Sequence, residues 1–78
     1  MDPEEIRKLH RMCVKTLREY ILQAQNTCTL LEEMDQFPLP IEQWISVTEQ
    51  RNSENFAHER YQIIREQLFD TLRPAFRT

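Results

Sequence analysis

No glycine occurs anywhere in this 78-residue chain. Phosphate-cradling loops, dinucleotide-binding turns and nucleophile elbows need glycine where the backbone approaches a ligand or takes positive φ, so those enzyme classes are excluded. Tight two-residue hairpins lose their usual residue too, which disfavours a β architecture. Long apolar runs are also missing: none approaches the ~18 residues a membrane span needs. The acidic opening Met1-Asp2-Pro3-Glu4-Glu5 leads into no signal-peptide core. These absences lead to the expectation of a soluble, cytoplasmic protein with no membrane contact. Cysteine is scarce, with only Cys13 and Cys28. On one unbroken helix they stand about 22 Å apart, beyond the ~7 Å a disulfide tolerates, so two thiols are expected.

What is present is a helical vocabulary. Hydrophobic residues make up 40% and charged ones 29%, which suits a packed helical domain better than a disordered chain. A single domain over residues 1–78 is expected at this length. Asp2 suits an N-cap, Pro3 the first helical position, and Glu4 and Glu5 the positive end of the helix dipole, with Glu5 placed for a capping box. Apolar residues then recur at Ile6, Leu9, Cys13, Val14, Leu17, Tyr20, Ile21, Ala24, Cys28 and Leu31, which read as one helix face. The spacing predicts one helix over about residues 3–34, near 50 Å long.

Phe37-Pro38-Leu39-Pro40 ends that helix and turns the chain back, so a second helix over about residues 40–73 is expected antiparallel to the first. In it, Ile41, Trp44, Ile45 and Thr48 share a face, while Ala57, Tyr61, Ile64, Leu68 and Leu72 form a second stripe turned by roughly 170°. The polar stretch Glu49 to Asn55 separates the stripes. Either the helix runs on, kinked or straight, and offers two faces to two partners, or it breaks near Asn52-Ser53 and Ser53 caps a third helix. The absence of Gly and Pro between Ile41 and Arg73 favours the first. The fold class expected is all-α: a long antiparallel helical hairpin pairing into a four-helix bundle, with a three-helix bundle as the alternative.

Folding the chain about residue 37 sets position x opposite about 74 − x. The basic residues Arg7, Lys8, Arg11, Lys15 and Arg18 then meet acids of the second helix, Lys15 facing Glu59, Lys8 facing Glu66 and Arg18 nearing Glu54. That neutralisation, with a net charge of −3, disfavours nucleic acid as a partner. Trp44, Phe37, Leu39 and Phe56 are expected to fill the core beneath the turn. Glu32, Glu33, Asp35 and Glu42 crowd the turn and are candidates for docking a partner, as is the aromatic pair Phe69 and Phe76. Asn26 and Asn52 are candidates for an amide layer that sets the register of a bundle.

No Glu-x-x-His pair of the kind that builds di-metal bundles occurs, and His10 beside Cys13 lacks an orienting third group, so neither a metal or cofactor nor catalysis is expected. The functional expectation is therefore a non-enzymatic protein–protein interaction module. In it a self-associating hairpin, a homodimer, presents a surface to a partner protein. The alternative is a small transcription-regulatory or antitoxin-like protein, and a metal- or cofactor-binding bundle comes last.

Overall fold

Two long helices lie side by side, antiparallel, in a computed structural model that describes residues 2–34 and 37–76, the side chains of 75 and 76 excepted. Helix α1 spans Pro3–Glu33 and helix α2 spans Ile41–Leu72. A single 3-10 turn, η1, covers Arg73–Phe76. No strand occurs among the described residues.

The ends form where their residue types lead. The Asp2 side chain accepts a hydrogen bond from the Glu4 backbone N–H at 2.9 Å, Pro3 occupies the first turn, and Glu4 and Glu5 stand at the positive end of the dipole. At the other end, the Met34 N–H reaches back to the Leu31 carbonyl at 3.2 Å. Pro40 sits at the cap of α2, and its carbonyl accepts from the Trp44 N–H at 3.1 Å. Proline fits there because the first helical donors have no partner within the helix anyway. Helix α2 continues through Asn52-Ser53 without a break, so the three-helix alternative is not the architecture. Glu49, Gln50, Arg51 and Glu54 are adequate helix formers, and neither Gly nor Pro interrupts them.

The helices meet along a seam whose members alternate three and four residues apart, the spacing of a coiled coil. From α1 the seam takes Ile6, Leu9, Cys13, Thr16, Tyr20, Gln23, Thr27 and Leu30, with Met34 at the cap; from α2 it takes Val47, Gln50, Glu54, Ala57, Tyr61, Ile64, Leu68 and Thr71, all of them buried or half-buried. Among the described residues only Thr16 (4% exposed), Ala57 (7%) and Leu68 (8%) are buried. Small side chains at Thr16 and Ala57 let the backbones approach. The buried Thr16 hydroxyl donates to the Met12 carbonyl of its own helix at 2.8 Å, and Thr27 does the same to Gln23 at 3.1 Å. Threonine thus enters the seam without an unsatisfied polar atom.

The middle of the seam is aromatic and polar. Tyr20 packs against His58, with ring centroids 4.9 Å apart, and lies parallel to Tyr61 at 6.4 Å. One turn further, the Gln50 side-chain amide donates to both the Gln23 carbonyl (3.0 Å) and the Gln23 side-chain oxygen (2.9 Å). This places Gln23 opposite Gln50, one position from the expected register.

A rod results, measuring 57 × 21 × 15 Å with a radius of gyration of 17.6 Å. A compact chain of this length would have a radius near 11.5 Å. The surface left open is 6358 Å², whereas a compact folded chain of the same mass exposes about 5000 Å².

Candidate interaction surface

The open surface carries large apolar side chains that the seam does not use. On α1 these are Met12, Val14, Ile21, Leu22 and Leu31; on α2 they are Ile41, Trp44, Ile45, Phe56, Ile63 and Phe69; Phe37 joins them in the turn. The expectation that Phe37, Trp44 and Phe56 fill a core beneath the turn is overturned: they are 76%, 57% and 62% exposed. A two-helix seam is only one side chain wide, and Val47, Leu30 and Met34 already occupy it there. Leu39 alone of that group is half-buried.

The apolar positions of α1, read from sequence as one face, divide in the structure. Cys13, Thr16, Tyr20 and Gln23 point to α2, whereas Val14, Leu17, Ile21, Ala24, Cys28 and Leu31 form a second stripe with the same three-four spacing. The two stripes lie about 100° apart round the helix. Leu17 and Ala24 are half-buried beside the seam, and the other four are exposed. The outer stripe is the more apolar of the two.

Which side of the hairpin it occupies follows from one ion pair. Glu19 and Arg60 meet at 3.4 Å along one edge of the seam. Leu17 and Ala24 flank the opposite edge, and the antiparallel geometry puts Trp44 and Ile41 of α2 on that same side, next to the turn. One broad side of the hairpin is therefore apolar over its turn-proximal half.

The basic residues take an unexpected place. Among the described residues no ion pair joins Lys15 to Glu59, Lys8 to Glu66 or Arg18 to Glu54; the pairs present are Arg7–Glu4, Arg60–Glu19, Arg65–Glu66 and Arg73–Asp70. Register alone does not decide which way a side chain points. Arg11, Lys15 and Arg18 stand on the side of α1 turned away from α2. There, with His10, Val14, Glu19 and Leu22, they border a shallow groove of about 480 Å³ with an apolar floor. All of its walls come from α1, so the groove is a surface depression between long side chains and not an enclosed cavity.

The candidate docking residues fall as follows. Glu32, Glu33 and Glu42 are exposed around the turn, and Phe69 is 54% exposed on α2. Asp35 and the Phe76 side chain lie outside the described residues. Asn26 and Asn52 are both exposed, and the amide pair that crosses the hairpin is Gln23 with Gln50. These glutamines were missed because a half-buried Gln inside a helix looks like an ordinary solvated position until its opposite number is known.

Neither cysteine forms a disulfide. Cys28 lies on the outer stripe, where its thiol donates to the Glu32 carboxylate at 3.4 Å. That hydrogen bond, then the carboxylate's charge and a little desolvation, push the thiol pKa up from its ordinary value. Among the described residues, no three His, Cys, Asp or Glu side chains converge as metal ligands, and no helix is long and apolar enough to cross a membrane. Comparison of the chain with protein-family models, curated proteins and solved structures finds no match.

Proposed function

We infer that the chain is a non-enzymatic interaction module of the cytoplasm: a helical hairpin that associates with itself, as a homodimeric four-helix bundle, and offers its remaining surface to another protein. One observation carries this reading. The apolar side chains on the outside of the hairpin are larger than those inside it. Water contact with Ile21, Leu31, Trp44, Phe56 and Ile63 costs roughly 25 cal/mol for each Å² that assembly would remove. The open surface exceeds that of a compact chain by about 1300 Å², more than the ~800 Å² each partner contributes to a standard interface. Short helical chains commonly make up a thin core by associating.

Sedimentation velocity at micromolar concentration tests the proposal. A species of about twice 9.5 kDa supports it; a 9.5 kDa species with full helical content at all concentrations removes it.

A second reading is favoured by one specific feature. Arg11, Lys15 and Arg18 face outward with no ion pair among the described residues, so a nucleic-acid contact in a small transcription-regulatory or antitoxin-like protein has a basic surface to use. A mobility-shift assay with duplex DNA separates the two. Binding that weakens steeply between low and physiological salt promotes this second reading; no shift leaves the cations to a protein partner.

A further inference from the structure

We propose that the second copy docks antiparallel along the outer stripe of α1, related by a two-fold axis that passes between Ile21 and Ala24, with Arg11 of each copy facing Glu32 of the other. This rests on the self-association reading above and assigns its interface.

Three observations carry it. The first is the pattern of the stripe. In an antiparallel seam each three-four position meets its complement, so Val14 faces the second copy's Leu31, Leu17 faces Cys28 and Ile21 faces Ala24. All six members are apolar or thiol, and the same patch serves both copies, as a two-fold interface requires. The N-terminal continuation of the stripe, His10 and Arg7, falls beyond this apolar length.

The second observation is charge. No Lys or Arg occurs between Arg18 and Arg51, and that turn-proximal half carries Glu32, Glu33, Glu42 and Glu49. The opposite half of α1 carries Arg7, Lys8, Arg11, Lys15 and Arg18. A parallel dimer would set acid on acid and base on base. An antiparallel one sets each acidic turn beside the other copy's basic half. In the positions flanking the stripe, Arg11 comes opposite the second copy's Glu32, twice per dimer.

The third is the groove beside Val14. Its apolar floor and its rim of Arg11, Lys15 and Arg18 form the place where the second copy's Leu31 and Glu32 arrive. The leucine would cover the floor and the carboxylate would meet the cations.

Cross-linking tests the arrangement. With Cys13 replaced by Ala, Leu17→Cys is combined with the native Cys28 and oxidised at alkaline pH. The expected product is a covalent dimer through Leu17→Cys and the second copy's Cys28. The chain with Cys28 alone is expected not to cross-link, since in this arrangement the two Cys28 residues lie about 16 Å apart along the axis. Should Leu17→Cys disturb packing, Ala24→Cys with Cys28→Ser is the milder probe, because Ala24 lies beside the axis and is expected to cross-link to itself. A dimer joined efficiently through Cys28 alone shows a parallel arrangement or an axis at Cys28, and either overturns the proposal. A dimer that none of the probes traps shows that another face is used, which also overturns it. Both outcomes leave the self-association reading standing, whereas a monomer in sedimentation removes that reading itself.

Charge reversal supplies an independent arm. Arg11→Glu or Glu32→Arg alone should weaken the dimer by roughly tenfold, through two repelling pairs in place of two attracting ones. The double variant should recover most of the loss. If the double variant dimerises no better than the singles, Arg11 and Glu32 do not face each other.

Discussion

Helix α1 carries two stripes of unequal chemistry. Over its middle the inner one faces α2 with Cys13, Thr16, Tyr20, Gln23 and Thr27, side chains that are small or polar and hold position through hydrogen bonds and ring stacking. The outer one presents Val14, Ile21, Cys28 and Leu31 to solvent, with Leu17 and Ala24 half-buried among them. In a self-sufficient hairpin these would be exchanged, with the aliphatic stripe inside. The inner stripe gives the hairpin its register, through partners that few alternative alignments would satisfy. The outer stripe holds apolar surface, at Val14, Ile21 and Leu31, that the hairpin itself leaves unused. The hairpin is thus specified within one chain and, on our proposal, stabilised between two.

The largest effect that separates the stripes is expected at the outer one. Ile21→Asp should abolish the dimer and lower apparent stability by about 3 kcal/mol or more, because an unpaired charge cannot be buried at the centre of an apolar seam. On an isolated hairpin, where Ile21 is 45% exposed, the same change should stay within about 0.5 kcal/mol. Circular dichroism melts read alongside sedimentation distinguish the two outcomes. Next comes the buried leucine that α2 brings to the seam. Leu68→Ala should cost about 2–4 kcal/mol by leaving a cavity where the helices meet, measured by urea denaturation at fixed protein concentration.

Smaller effects sharpen the role of the polar seam. Gln50→Ala leaves Gln23 unpaired and should cost about 1–2 kcal/mol, whereas Gln23→Leu with Gln50→Leu should be near neutral or stabilising and should broaden the distribution of oligomers as register is lost. If the double leucine variant is destabilised as much as the single alanine variant, the amide pair contributes more than register. The smallest effect is on Cys28. Its raised pKa keeps the thiolate fraction low at neutral pH, so alkylation should run slower than for an ordinary thiol and speed up with pH. Glu32→Gln removes the carboxylate's charge, lowers the thiol pKa and should raise the neutral-pH alkylation rate; an unchanged rate would mean that the Glu32 contact does not govern it.

Much of the fold was legible in the residues. Asp2-Pro3 marked the start of α1, Phe37-Pro38-Leu39-Pro40 the reversal, and the lack of Gly and Pro after Ile41 the unbroken second helix. The opposed stripes of α2 were also visible: Ala57, Ile64 and Leu68 turn toward α1, and Ile41, Trp44 and Ile45 turn away. The facing of α1 was not legible. Neighbours such as Cys13 and Val14, or Tyr20 and Ile21, stand about 100° apart, and periodicity alone assigns both to one broad face. Their separation depends on which stripe of α2 comes opposite, a tertiary fact. For the same reason Lys15 and Arg18 fell at a reasonable height along the rod but on its far side, and among the described residues the ion pair between the helices is Glu19–Arg60. Trp44 and Phe56 misled because large aromatics usually find a core, and a seam one side chain wide has no room for them.

The central claim is that the apolar surface outside the hairpin belongs to an interface between two chains. The thermal midpoint as a function of protein concentration, from about 1 to 500 µM, tests it most directly, because association shifts apparent stability by mass action. The account predicts a midpoint that climbs steadily with concentration, with folding and association lost in one transition. A sharp midpoint that stays constant across the range, with helical content retained at the lowest concentration, would contradict it.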